Sequence, residues 1–133
     1  MGRAVYLFDK ELGIKISLRV GPYEEEVQVI LSGNDEIAMR EYTPVEIGAL
    51  LWSLSEAVKR ARQGEGVLRT MSPEHWKTSV ESGQISVALD GVLPDGSPSS
   101  ASRTWAPDEV DKVIAALQMA AKAAGGQCQV DDR

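Results

Sequence analysis

Few side chains of this sequence have the type and spacing that catalysis requires. The single histidine, His75, directly follows Glu74, and a general base would need both a partner and a cleft. The single cysteine, Cys128, lies in the polar tail QCQVDDR, so the chain can form neither an intrachain disulfide nor a zinc site of Cys and His ligands at standard spacing. We therefore expect His75 to be a surface or capping residue, and we do not expect Cys128 to be a nucleophile.

Motifs for cofactors are missing as well. The sequence contains neither GxxxxGK[ST] nor GxGxxG, and Gly64 and Gly66 lie between predicted elements at the wrong spacing. The three glutamates at 24–26 could attract a divalent ion, but charged side chains in a turn normally remain solvated. We predict a protein that is not an enzyme, with no catalytic residue, no cofactor and no metal ligand.

Composition indicates a soluble protein of one domain. The chain has 133 residues, of which 43% are hydrophobic and 26% charged. Its net charge of −6 disfavours unspecific attraction to nucleic acid or anionic lipid. No apolar run approaches the roughly 18 residues that span a bilayer, and the charged start MGRAVYLFDKELG lacks the apolar core of a signal peptide. We expect a cytoplasmic protein that does not bind membranes.

The first forty residues alternate between aliphatic and polar side chains, which is typical of strands with one buried face. Residues 14–20 and 27–31 predict two strands, and the odd-numbered residues of the second should face inward. Residues 37–42 and 4–8 predict two more. The second half is less regular: it suggests a short strand at 66–71, a brief helix at 72–76, a strand at 85–91 and a mobile loop at 93–100.

A helix is predicted at the end of each half. Thr43, Pro44 and Glu46 form the sequence signature of a capping box, and Gln63-Gly64 ends that helix. The second helix runs from Pro107 to residue 124. The apolar stripes that should cover the sheet are Ile47, Leu50, Leu51, Leu54, Val58 and Ala61 in the first helix, and Val110, Val113, Ile114, Leu117, Ala121 and Ala124 in the second.

The two predicted helices are preceded by similar sequences, MREYTPVEI at 39–47 and SRTWAPDEV at 102–110. Arg40 aligns with Arg103, and Tyr42 with Trp105, at an offset of 63 positions (103 − 40). We predict an α+β fold in which an antiparallel sheet is covered by two equivalent helices, arranged as a pseudo-twofold tandem β-β-α repeat within a single domain, 1–133. Its units would be 1–64 and 65–126, followed by a flexible acidic tail, 127–133. The alternative is that a common helix-start motif arose twice independently.

One aromatic residue is in an unexpected position. Trp52 lies about 140° around its helix from Ile47, so it points away from the core stripe. Packing against the other half, a homodimer contact or a partner site would each explain it. With Trp52 we group Val45, Lys59 and Met119 as candidate partner-binding residues. Tyr42 and Trp105 are expected to fill the core where strand meets helix.

The first 62 residues, four strands and a helix with the junction IAMREYTP at 37–44, resemble the Whirly and PUR families and the positive-cofactor coactivators. In those families such units dimerise or repeat in tandem and bind single-stranded nucleic acid. The resemblance covers half the chain and concerns the order of elements. It implies Lys15, Arg19 and Arg40 as nucleic-acid-facing cations.

From the residues themselves we predict a small acidic non-catalytic protein that engages another protein. Adaptors, immunity or antitoxin-like inhibitors and phage-encoded inhibitors of host enzymes all have this size and charge, and an acidic surface can also imitate nucleic acid. A second copy of the chain is a further candidate partner. The alternative is a single-stranded nucleic-acid-binding module, although the net charge disfavours it.

Overall fold

The computed structural model of the protein describes residues 4–20, 25–33, 35–64, 68–70 and 75–125. Within these ranges the chain forms eight strands and two helices. The strands are β1 (Val5–Asp9), β2 (Ile14–Val20), β3 (Glu25–Gly33), β4 (Glu36–Tyr42), β5 (Leu68–Thr70), β6 (Trp76–Glu81), β7 (Gln84–Val92) and β8 (Pro98–Trp105), and the helices are α1 (Pro44–Arg62) and α2 (Pro107–Gly125). Four strands precede each helix, so both halves of the chain have the same order of elements.

The strands form one antiparallel sheet. Seven of them follow the order β1-β2-β3-β4-β7-β6-β5, and β8 pairs with β7 off this path. The first half joins the second where β4 meets β7, through the registered pair Met39 and Val92. The predicted α+β fold, with an antiparallel sheet packed against two helices, is confirmed.

One side of the sheet is apolar and packs against the helices. Because side chains alternate along a strand, every second residue of β2, β3 and β7 is buried. These buried residues are Ile14, Ile16 and Leu18, then Val27, Val29 and Leu31, then Ile85, Val87 and Leu89. The inward orientation predicted for β3 is therefore confirmed. Tyr42 and Trp105 are also buried in this core, as predicted.

Each helix covers mainly the strands of the other half. Helix α1 packs chiefly on β6, whereas α2 packs on β1, β2 and β3, and the two helices also pack against each other. A buried hydrogen bond of 2.7 Å joins Ser53 of α1 to Thr78 of β6. Since each half buries its apolar side under the helix of the other, the two halves form one core.

Contacts between the halves occur in matching pairs. Arg40 Nε donates to the backbone oxygen of Asp90 at 3.0 Å, and Arg103 Nη1 donates to the backbone oxygen of Ser32 at 3.3 Å. Arg40 and Arg103 are the two arginines of the repeated junction. Gly33 and Gly91, at equivalent ends of β3 and β7, each approach the backbone of a strand from the opposite half. These pairs agree with a pseudo-twofold repeat, which itself stays a prediction.

The second half contains more strand than the sequence indicated. Trp76 opens β6 instead of ending a brief helix, and residues 71–74 lie outside the described residues. The predicted loop at 93–100 is shorter, because Pro98 to Ser100 pair with β7 as part of β8. Serines show no apolar alternation, so backbone pairing with β7 had to define this strand. The tail predicted at 127–133, with Cys128, lies outside the described residues.

Candidate functional site

Local sequence fixes the start of α1 and thereby the direction of its outer side chains. The Glu46 backbone N–H donates to Thr43 Oγ1 at 3.3 Å, and the Thr43 N–H donates to Glu46 Oε1 at 2.8 Å, which is the predicted capping box. Ile47, Leu50 and Leu54 then bury one side of the helix. The opposite side is open to solvent.

Trp52 lies on that open side. Its side chain is 60% exposed, whereas Trp76 and Trp105 are fully buried. Within the described residues it therefore does not pack into the core of the second half, which removes the support for that explanation of its position. A homodimer contact and a partner site remain.

Val45, Gly48, Trp52 and Lys59 form what we call the α1 outer stripe. Val45 is 84% exposed, and it precedes Trp52 by seven residues, or about two turns and 10 Å along the same face. Gly48 lies between them, and Lys59 is exposed two turns beyond Trp52. The stripe is apolar over its first half and cationic at its end. From the sequence we did not count Gly48 among the candidate partner-binding residues, although a glycine inside a predicted helix was a visible signal.

Met119, which we grouped with Trp52, lies on the other helix, α2. It is 58% exposed on α2, at the position equivalent to Glu56 (119 − 63). Ala115, the counterpart of Trp52, is also exposed but small. Helix α2 therefore does not repeat the apolar stripe of α1.

The side of the sheet away from the helices, which we call the open sheet face, is partly exposed: Ser17 and Gln28 are buried there, and Lys15, Ile30 and Met39 are half-buried. Phe8 is 61% exposed there, with the Lys15 ammonium 5.5 Å and the Lys10 ammonium 5.9 Å from its ring centroid. Pairing continues from Lys15 to Ile30 and then to Met39, so a largely apolar row crosses four strands. Sequence reasoning did not single out Phe8.

The three cations predicted to face nucleic acid do not form one surface. Lys15 lies on the open sheet face. Arg19 Nε forms an ion pair with Glu41 at 3.2 Å, so its charge is balanced locally. Arg40 pairs across the strands with the buried Val29, which places it on the helix-covered side. Its expected outward orientation is wrong, because it shares the alternation of the buried residues Ala38 and Tyr42.

Two shallow cavities lie where the halves meet. One of about 310 Å³ is lined by Glu26, Met39, Arg40, Glu41 and Val92, and the other of about 330 Å³ by Gly33, Ser86, Ser102, Arg103 and Thr104. In the second, the hydroxyls of Ser86 and Thr104 bond to each other at 3.1 Å. The Arg103 guanidinium donates to the backbone oxygens of Ser32 and Glu11. Neither set of lining residues pairs a nucleophile with a general base.

Shifted pKa values occur outside these cavities. Burial raises the pKa of the Tyr42 phenol, whose hydroxyl has no hydrogen-bond partner in the described part of the chain. Hydrogen bonds from Arg62 to Asp111 at 2.7 Å and to Asp108 at 2.8 Å raise the pKa of Arg62 and join α1 to α2. Both shifts are explained by packing: the burial of Tyr42 and the ion pairs between the helices.

His75 is exposed just before β6, where its backbone oxygen accepts a hydrogen bond from the Asp90 N–H at 2.9 Å. Among the described residues, no three His, Cys, Asp or Glu side chains are grouped so that they could hold a metal ion. A search of the same residues finds no helix that is long and apolar enough to cross a membrane.

The architecture is thus an α+β fold of two halves, each with four strands followed by a helix. Its exposed apolar residues include Val45 and Trp52 on the α1 outer stripe, Phe8 on the open sheet face and Met119 on α2. No protein-family model, no curated protein and no solved structure matches the chain.

Proposed function

We propose that the protein is a small, acidic, non-catalytic binding protein that engages another protein through the α1 outer stripe. The observation that carries this proposal is the exposure of Trp52 on the side of α1 opposite the core. Tryptophan is enriched among the residues that contribute most to protein–protein binding, because a large rigid side chain buries much surface at little entropic cost.

The neighbours of Trp52 support this proposal. Val45 extends the apolar surface, while Lys59 gives the stripe a charged end, and an apolar centre with a polar rim is typical of protein interfaces. A protein of this kind would act as an adaptor, as an immunity or antitoxin-like inhibitor, or as a phage-type inhibitor. The net charge of −6 adds the option of a basic partner surface.

A comparison of two exposed residues tests the proposal. The tagged chain, Trp52→Ala and Val5→Ala would each be used to capture proteins from a lysate of the native host, followed by mass spectrometry. Val5 is the control because it is 53% exposed, close to the 60% of Trp52, and lies on β1 instead of a helix. We expect Trp52→Ala to weaken capture by about 2 kcal/mol or more, and Val5→Ala to leave it unchanged. Equal capture by all three proteins would refute a role of the stripe.

As a second candidate function we propose binding of single-stranded nucleic acid on the open sheet face. The supporting observation is the exposed ring of Phe8 between the ammonium groups of Lys10 and Lys15. An aromatic ring flanked by cations can stack on a base and neutralise the adjacent phosphate. The negative net charge of the chain opposes such binding.

Fluorescence anisotropy with a labelled oligonucleotide at low salt tests this second candidate. Binding should weaken steeply as salt is added, since phosphate contacts release counterions. Phe8→Ala should lower the affinity, whereas Val5→Ala, an exposed apolar residue of the same strand, should not. If the oligonucleotide does not bind even at low salt, this candidate is excluded.

A further inference from the structure

Gly48 has no evident use in the isolated chain. It lies inside α1, is exposed, and has no described residue within 4 Å of the place where a Cβ would be. It is not among the residues with positive φ, so its backbone does not require glycine. A helix is less stable with glycine inside it than with alanine, and the described part of the chain offers no contact in return. A missing side chain at this place is useful if another backbone or a large side chain approaches it closely.

Trp52 lies one helical turn after Gly48 on the same stripe, about 6 Å further along the axis. The stripe therefore presents a hollow next to a large projecting ring. Such a surface is complementary to itself when two copies of α1 lie antiparallel about a twofold axis, because each indole then meets the hollow of the other copy. A self-complementary patch is what an isologous interface requires.

The charges of α1 favour the same arrangement. Its first turn carries the acidic Glu46, and the basic Lys59 in its last turn lies on the stripe itself, whereas Arg60 and Arg62 already pair with Glu56 and with Asp108 and Asp111. Antiparallel packing brings Lys59 of each copy towards the acidic first turn of the other. Parallel packing would instead place like charges together.

We propose that two copies of the chain associate through their α1 outer stripes, as an antiparallel helix pair in which Trp52 of each copy covers Gly48 of the other. This inference rests on the proposed function, because it names the partner at the same stripe. A contact made by one helix from each copy is smaller than the roughly 1,200–2,000 Å² of a standard interface. The dimer should accordingly be weak, with a dissociation constant in the micromolar range.

Sedimentation velocity of the full chain between about 1 and 500 µM tests the dimer directly. Fluorescence gives a second readout: Trp76 and Trp105 are buried, so acrylamide quenching reports mainly on Trp52. We expect a sedimentation coefficient that rises with concentration, together with quenching that falls. Trp52→Ala should weaken the association at least about 30-fold, and the control Val5→Ala, an exposed apolar residue of β1, less than about 2-fold.

Gly48→Gln separates the geometry of the dimer from the stability of the chain. A glutamine side chain fills the hollow, and its Cβ has no described residue of the same copy within 4 Å, so the variant should melt at a higher temperature than the natural chain. It should nevertheless associate at least about 10-fold more weakly. A Gly48→Gln variant that dimerises as well as the natural chain would overturn the proposed arrangement.

The remaining outcomes distinguish this inference from the function on which it rests. A chain that stays monomeric throughout the concentration range overturns the dimer, while Trp52-dependent capture from the lysate would still support binding of a different protein. The absence of both self-association and Trp52-dependent capture overturns the two proposals together.

Discussion

Gly91→Ala should destabilise the protein, because β7 approaches the backbone of β4 too closely at this residue to leave room for a Cβ. A Cβ at position 91 would meet the carbonyl oxygen of Met39 far inside any normal contact distance. It would also lie 2.9 Å from the carbonyl carbon and 3.0 Å from the nitrogen of the same residue. Ordinary contacts of a Cβ begin at 3.4 Å, so β4 has to move by at least 0.5 Å (3.4 − 2.9). All three atoms belong to the backbone and cannot rotate away as a side chain would.

The expected magnitude follows from this geometry. Overpacking a core with one extra carbon costs about 1–3 kcal/mol, and we expect the upper part of this range because backbone has to shift. For a chain of this length each kcal/mol corresponds to about 3–5 °C, so the melting temperature should fall by roughly 6–15 °C. Gly91 is not among the glycines with positive φ, so the expected loss of stability is caused by the steric collision and not by an unfavourable backbone conformation.

Thermal and urea unfolding of three variants provide the assay. Gly33→Ala should behave like Gly91→Ala, since its Cβ would collide with the backbone of Ser102. Gly48→Ala is the control, because its Cβ meets none of the described residues within 4 Å and alanine should stabilise α1 by about 0.5–1 kcal/mol. If Gly91→Ala melts within about 2 °C of the natural chain, the two strands do not approach as closely as the structure indicates.

Three further changes test two sites in the core and the start of α2. Thr78→Val should cost about 1–3 kcal/mol in urea unfolding, because Trp76 Nε1, which donates to Thr78 Oγ1 at 3.0 Å, loses its acceptor; Thr78→Ser should restore most of that loss. Tyr42→Phe should be neutral or stabilising by up to about 1 kcal/mol, since a buried hydroxyl without a partner among the described residues is removed. Because burial raises the pKa of Tyr42 in the folded chain, the unfolded chain loses the phenol proton at lower pH, and stability falls above about pH 10 by up to about 1.4 kcal/mol per pH unit. Melts at pH 8–11 should show that Tyr42→Phe removes this pH-dependent loss of stability. Ala106→Ser should raise the melting temperature, with a gain of about 1 kcal/mol, because it supplies the hydroxyl that Thr43 gives to the first helix, and an unchanged melt would show that no cap forms.

Local signals predicted most of the first half correctly. Period-two alternation defined β2 and β3, and the capping box defined the start of α1, because both depend on residues close together in the sequence. In the second half the second capping interaction is also present, since the Ala106 N–H donates to Glu109 Oε1 at 2.8 Å. The error in β8 has the opposite cause. A strand rich in serine is defined by its neighbour β7 and not by its own pattern.

Tertiary features were not accessible from local patterns. The sequence did not indicate that each helix covers the strands of the other half, because an apolar stripe does not specify its partner. Leu51 and Ile114 were predicted as core residues, but both are only half-buried against it. Their truncation should therefore cost less than the roughly 2–5 kcal/mol of a fully buried site. The alternation of buried residues in β4 indicated the orientation of Arg40, but we assumed that a cation faces solvent and therefore placed it on the wrong side of the strand.

The differences between the two halves support a specific use of α1. Positions that serve the core are alike in both, as with Arg40 and Arg103, whose guanidinium groups bind the backbone of the opposite half. The outer positions differ: where α1 has Val45 and Gly48, α2 has Asp108 and Asp111 at the same offset of 63.

Both aspartates bind Arg62 of α1, and so they are already engaged in holding the helices together. Arg62 itself corresponds to Gly125 in α2 (62 + 63), so the reciprocal ion pair cannot form at Val45 and Gly48. The α1 outer stripe is therefore not needed for contact between the helices. Because the stripe has no role in contact between the helices, and because the large ring of Trp52 is exposed on it, we propose that the stripe associates with another chain.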